Sequence, residues 1–256
     1  VYRVATHGVQ GATEKAVDMY RWASFMGLFL ADGFTCCAAA DKQHYVGITQ
    51  KAGNRCNVIR ELLNKLPYSY SEHELKNDMV SFEIYDKALC LDVLPYSITA
   101  SEKHIPEYIK CANKDILSTF VAWYWFGDGS VSGASEAYAG TLTISTISRR
   151  MADDLQEIAL KIDHAGTMWS RDQANSFGSN PLYFVSFSEV LECKVGTVFT
   201  EKYTGYVYCP TTENGVVYVR RNGKACWSGN SWYFKRYIEE LEGIGIERNL
   251  AGIPTI

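Results

Sequence analysis

Two aspartates stand in closely similar settings. Residues 25–33 read FMGLFLADG and residues 121–129 read VAWYWFGDG. Each is an apolar run of helical spacing that stops on Asp-Gly and leads into Ser/Thr-containing sequence, so Asp32 and Asp128 end two similar helices. Carboxylates brought side by side repel unless a cation lies between them. Mg²⁺ suits such a pair, because it takes carboxylate and phosphate oxygens. A divalent metal there can activate water and stabilise the leaving oxygen in phosphodiester hydrolysis. Gly33 and Gly129 follow the acids where a helix C-terminal cap belongs, and we include them in the metal-binding ends.

The elements that must position these acids occur twice. Residues 14–31 have helical spacing, 34–50 read strand–turn–strand, 54–65 form a second helix, and 81–86 a strand. KALCLDVLPYSI (87–98) reads as a helix before Pro95. Asn113 can cap a helix over 114–126, which Gly129 ends. GTLTISTIS (140–148) alternates as a strand, RRMADDLQEIALKI (149–162) is an amphipathic helix, and 166–172 with 181–188 form closing strands. A duplicated unit that does not close its own core packs against its copy. After about residue 190 the chain becomes Tyr/Val-rich with turn signals at ENG and RNG, a small β module, and it turns helical again from Trp232.

At this point the residues match a known family. FMGLFLADG and VAWYWFGDG resemble the signature helices of LAGLIDADG homing endonucleases. SEKHIPEYI (101–109) resembles the Lys-x-Ile-Pro block that precedes the second such helix in intein-borne members. The resemblance implies an α+β fold of two pseudo-symmetric αββαββα repeats with saddle-shaped sheets, over about 14–100 and 101–190. It implies a monomeric two-repeat nuclease that cuts long sites in double-stranded DNA with Mg²⁺. Asp32 and Asp128 are then the metal-binding acids, Lys103 the catalytic lysine, and Gln50 a polar group linked to water or metal.

Gly27, Ala31, Ala122 and Gly127 are the small residues a close helix crossing wants, while Trp123 stands where the first copy has Gly27 and would widen or rotate it. Strands lying across DNA can read base edges. Candidates are Lys42, Gln43, His44, Gln50, Lys51 and Arg55 in one half, and Arg149, Arg150, Arg171 and Gln173 in the other.

Residues 191–230 resemble the C-terminal splicing segment of an intein (a Hint domain), with a junction between Asn230 and Ser231. The Asn230 amide can cyclise on its own carbonyl carbon, and the Ser231 hydroxyl can carry an ester. Gly229 precedes Asn230 where the family usually has His, and Cys209 stands where many inteins have Asp, as a nucleophile or as a structural thiol. YRVATHGVQG (2–11) looks like the strand that leads into the endonuclease, so 1–13 would be a remnant of the splicing domain and the partner an N-terminal intein half. Residues 231–256, with ERNLAGIP, resemble a helical stretch of phage portal proteins and would be the C-extein. A splicing element with an inert nuclease, or a non-cleaving DNA-binding protein of this fold, are the alternatives; retention of both acids speaks against the second.

Composition sets limits on these readings. The formal net charge of −4 disfavours a general polyanion binder while leaving room for a local basic face. No run approaches 18 apolar residues, so no membrane helix is expected. The eight cysteines show no C-x-x-C or zinc spacing. They read as reduced thiols in a cytoplasmic protein, and the resemblance of 231–256 to portal proteins implies a phage- or prokaryote-encoded one. The first residue is Val, as expected of a fragment or processed piece.

Overall fold

The computed structural model describes residues 1–37, 44–132, 141–172, 180–189 and, towards the C-terminus, 200, 202–206, 208, 210, 212–221 and 223–229. The chain divides into two compact units, Val1–Leu191 and Glu192–Ile256.

The first unit has a mixed α+β architecture. A hairpin of β1 (Tyr2–Val4) and β2 (Lys15–Val17) precedes helix α1 (Met19–Asp32). Strands β3 (Gly33–Cys37) and β4 (His44–Lys51), helix α2 (Asn54–Leu63), strands β5 (Ser71–Leu75) and β6 (Met79–Ile84), and helix α3 (Lys87–Val93) complete the first repeat. The short helix α4 (Glu107–Lys110) leads to α5 (Lys114–Asp128), β7 (Gly129–Ser132), β8 (Thr141–Thr146), α6 (Arg149–Lys161), β9 (Ala165–Arg171) and β10 (Leu182–Ser188). The two antiparallel sheets have equivalent orders, β3-β4-β6-β5 and β7-β8-β10-β9, as the saddle-forming repeats require. Their registers also correspond, since Gly33 lies opposite Ile48 and Gly129 opposite Ile144.

Most of the expected elements are present, with instructive differences. Helix α1 begins at Met19 rather than at residue 14, because Asp18 caps it through the Tyr20 and Arg21 amides and Lys15–Val17 pairs as a strand. Strand β5 (SEHEL) has no apolar alternation to reveal it; its residues are exposed, and it forms by pairing with β6. The helix expected before Pro95 is found as Lys87–Val93, and Leu94–Tyr96 then tighten into a 3-10 turn around the proline.

The core lies between the sheets and the helix pair. Every residue of α1 from Trp22 to Leu30 is buried, as befits a helix apolar on all sides. Its closest partner is α5, whose Leu117, Phe120, Val121 and Tyr124 are buried. The expectation of reduced thiols is corrected at one place: Cys37, at the end of β3, is disulfide-bonded to Cys90 on α3. These residues are 53 apart in sequence, so only the folding of α3 against the sheet brings them together.

In the second unit, β11 (Val216–Arg221) and β12 (Lys224–Gly229) form an antiparallel hairpin. This agrees with the β character read from the sequence. Cys209, Asn230, Ser231 and the helical stretch expected beyond them lie outside the described residues, as do Lys42, Gln43 and Gln173.

Candidate active site at the paired helix ends

The acids meet because α1 and α5 cross at equivalent positions with little between them. A methyl group on Gly27 would lie 2.5 Å from the Phe120 carbonyl oxygen and 3.0 Å from Trp123 Cβ. One on Gly127 would lie 2.5 Å from Ala31 Cβ and 2.8 Å from Asp32 Oδ2. Hence Gly27 faces its counterpart Trp123, and Ala31 faces its counterpart Gly127. Of the wider or rotated crossing expected from Trp123, the widening is not found: glycine on one helix makes room for the indole's Cβ on the other. Ala122, expected in this contact, is exposed instead.

Both helices end in the same way. The Gly33 and Gly129 amides donate to Phe29 O and Trp125 O, and both glycines then adopt extended backbone, entering β3 and β7 directly. Neither uses the left-handed conformation expected of a capping glycine. Glycine is needed for space, since a Cβ at Gly33 would collide with Phe29 and one at Gly129 with Trp125. The chain therefore leaves each helix straight into a strand and holds each aspartate at a helix–sheet corner.

The electrostatics at these corners are those of two carboxyls raised by burial, with Lys103 opposing the shift at both. Burial and, after it, the neighbouring Asp32 push the Asp128 carboxyl up to about 6, with Lys103 opposing the shift. Burial also raises Asp32, against the pull of Lys103 and Arg55. Below them the buried Tyr124 hydroxyl is bonded to Thr146, and burial together with both acids holds it protonated.

Lys103 lies at the site but does not sit on either carboxylate. Its ammonium donates to the carbonyl oxygens of Leu30 (2.9 Å) and Ala31 (3.1 Å) in the last turn of α1 and of Gly33 (3.2 Å) at the start of β3. Burial lowers its pKa, with Asp128 and then Asp32 acting in the other direction. The KHIP segment delivers it there. Its backbone is pinned to α6, where the Ser148 hydroxyl donates to Lys103 O and Asp154 accepts the Ile105 amide at 2.9 Å. A loop braced by the second repeat thus presents a cation to the helix end of the first.

Gln50 donates to Asp32 Oδ2 at 3.2 Å. Counting from the matched pairs Gly33–Ile48 and Gly129–Ile144, its counterpart is Thr146. Thr146, Tyr124 and the approach of Arg55 to Asp32 were missed at the sequence level. The parallel between Ile-Thr-Gln (48–50) and Ile-Ser-Thr (144–146) was the available signal for Thr146. Arg55 also lies over the Phe126 ring at 5.3 Å, beside the site rather than out on the sheet.

The other expected DNA contacts separate by position. Lys51 is exposed at the end of β4, and Arg171 is exposed on β9 with its guanidinium 5.7 Å from the Phe184 ring. Arg149 is tied to Asp153 at the start of α6 and packs over Tyr183, while Arg150 beside it is exposed. His44 begins β4 opposite Cys37.

Residues 115–194, which include most of the second repeat, match the model of the LAGLIDADG-like domain. The crystal structure of I-DmoI in complex with DNA and Mn aligns over 66% of this chain and 90% of that one, with a TM-score of 0.48 and 14% identity. The homing endonuclease I-WcaI bound to its DNA recognition sequence aligns over 72% and 88%, with a TM-score of 0.43 and 10% identity. A curated relative, the C-terminal section of the DNA-directed RNA polymerase subunit beta of Stigeoclonium helveticum, is 21% identical over 85% of this chain. The chain spans 24% of that relative's length.

The residues at the helix ends fit a divalent cation. Among the described residues no group of three or more His, Cys, Asp and Glu comes together. A cation between Asp32 and Asp128 would thus keep several water or phosphate ligands, as Mg²⁺ characteristically does. A cation bound there would favour the charged form of both carboxyls, which burial disfavours.

Proposed function

We propose that this chain is a LAGLIDADG-type, site-specific endonuclease that hydrolyses phosphodiester bonds in double-stranded DNA with a divalent cation, Mg²⁺ in the cell. The observation that carries the reading is the juxtaposition of Asp32 and Asp128 at two helix–sheet corners, each carboxyl raised by burial. A divalent cation bound there supplies charge neutralisation and an acidified water. Asp32 and Asp128 would hold it, and Gln50, which donates to Asp32, would orient that acid and the attacking water. Lys103 contributes positive charge where the scissile phosphate would lie. The water oxygen forms the new bond to phosphorus as its proton passes to solvent, and the bond to one sugar oxygen breaks, that oxygen leaving as a hydroxyl with a proton taken from solvent. Both acids come from one chain, which supports a monomeric nuclease.

Incubation of the full chain with a plasmid library of randomised inserts and Mg²⁺, beside Asp32→Asn, tests this. Linear products from the native chain alone support it. Absence of cleavage, or equal cleavage by the variant, refutes it.

An intein context is the second part of the reading. The β11–β12 hairpin ends at Gly229, directly before Asn230 and Ser231. In this reading Asn230 cyclises, Ser231 accepts the upstream segment, Cys209 assists, and an N-terminal intein half is the partner, in a phage or prokaryotic cytoplasm. Mass spectrometry of the chain mixed with such a half tests it: release of 231–256 from native protein and from Asn230→Ala alike would exclude cyclisation.

A further inference from the structure

The sheet faces turned away from the helices carry different chemistry in the two repeats. Register and alternation put Phe34, Tyr45, Thr49, Ser81 and Glu83 on the open face of the first sheet, because Val46, Ile48, Phe82 and Ile84 fill the core behind it. Phe34 and Tyr45 pack edge to face, and Tyr45 packs on Tyr85, an aromatic patch beside Glu83. In the second sheet the residue equivalent to Glu83 is Ser186, bonded to Thr143.

Glu83 is the one carboxylate among the described strand residues on either open face, and it is held rather than loose. Tyr85 OH donates to it at 2.5 Å, Ser81 Oγ lies at 3.2 Å, and His73 Nε2 at 3.4 Å. Three neighbours fix its direction, and its side chain is 14% exposed. A fixed carboxylate on a surface that meets DNA repels phosphates, so it costs non-specific affinity. It has one good partner at a base edge, the cytosine N4 amine, which donates into the major groove.

We infer that Glu83 is a specificity-determining residue of the first sheet, accepting from the N4 amine of a cytosine in the half-site beneath it. This rests on the nuclease reading and deepens it. The second sheet has no equivalent acid among its described strand residues. The cytosine requirement therefore belongs to one half-site only, and the recognised sequence is not a palindrome at that position. Loss of the carboxylate relaxes the choice there, and a glutamine amide, which pairs with adenine N6 and N7, shifts it towards adenine.

Binding selection from a randomised duplex library, with Ca²⁺ as the divalent ion and the full chain as bait, tests this beside Glu83→Gln, with melting curves to verify that the variant is folded. The expected result is one position of strong cytosine preference whose preference falls about tenfold in the variant, with adenine rising and other positions unchanged. Glu83→Ala, tested likewise, should lose the cytosine preference without gaining adenine. If the native chain selects a sequence and both folded variants select the same one, the role of Glu83 is overturned while the DNA-binding reading stands. If the native chain selects no sequence, the DNA reading falls and this inference with it.

Discussion

Replacing Asp128 with Asn removes one charge from a desolvated pair while keeping its shape. The native carboxyl is raised from 3.8 to about 6. A shift of about two units corresponds to about 3 kcal/mol at ~1.36 kcal/mol per unit. Residual solvent and coupling to Asp32 reduce this to about 1–3 kcal/mol. The folded-state pKa lies above the unfolded one, so the folded protein binds the proton more tightly. This stabilisation is complete below pH 3.8 and is lost as pH rises to about 6. At pH 8 in EDTA, Asp128→Asn should therefore be more stable than native protein, raising the melting temperature of the first unit by about 2–10 °C. The difference should shrink towards pH 5. Mg²⁺ should reverse the order, stabilising the native chain by about 3 kcal/mol at a hundredfold excess over its dissociation constant, with little effect on the variant. Scanning calorimetry at pH 5 and pH 8, with and without Mg²⁺, decides the matter. A variant less stable than native protein in EDTA at pH 8, or equally stabilised by Mg²⁺, would show that the carboxylates are not a desolvated metal pair.

Three further outcomes are expected. Gly27→Ala should lose about 1–3 kcal/mol in urea unfolding despite the better helix propensity of alanine, because its Cβ would meet Phe120 O at 2.5 Å; a gain in stability would refute the close crossing. Lys103→Met should lose about 1–3 kcal/mol by removing the hydrogen bonds to the Leu30, Ala31 and Gly33 carbonyls, whereas Lys103→Arg should recover part of it; equal melting of Met and native forms would remove the lysine from the helix end. Cys37→Ser with Cys90→Ser should cost about 2–4 kcal/mol for a closed loop of this length, and dithiothreitol should abolish the difference; thiol titration finding both cysteines free in the native chain would contradict the bond.

The sequence alone determined the pairing of acids. Asp32-Gly33 and Asp128-Gly129 end apolar runs of helical period, and a repeated pattern demands a partner surface. KHIP marked Lys103, and alternation marked β4, β8 and β10, because these signals are local. Strand β5 and the start of α1 at Asp18 escaped notice, since cross-strand pairing and a cap outweigh the periodicity of the residues involved. Which small residues touch was also decided in three dimensions: Gly27 yields to Trp123, and Ala122 faces solvent. The tertiary structure alone brought Lys103 onto three carbonyls of the other repeat, joined Cys37 to Cys90, and turned Glu83 outward. The physical reason is range. Periodicity and capping act over a few residues and can be read along the chain, whereas burial, desolvation and charge depend on residues that the chain brings together only by folding.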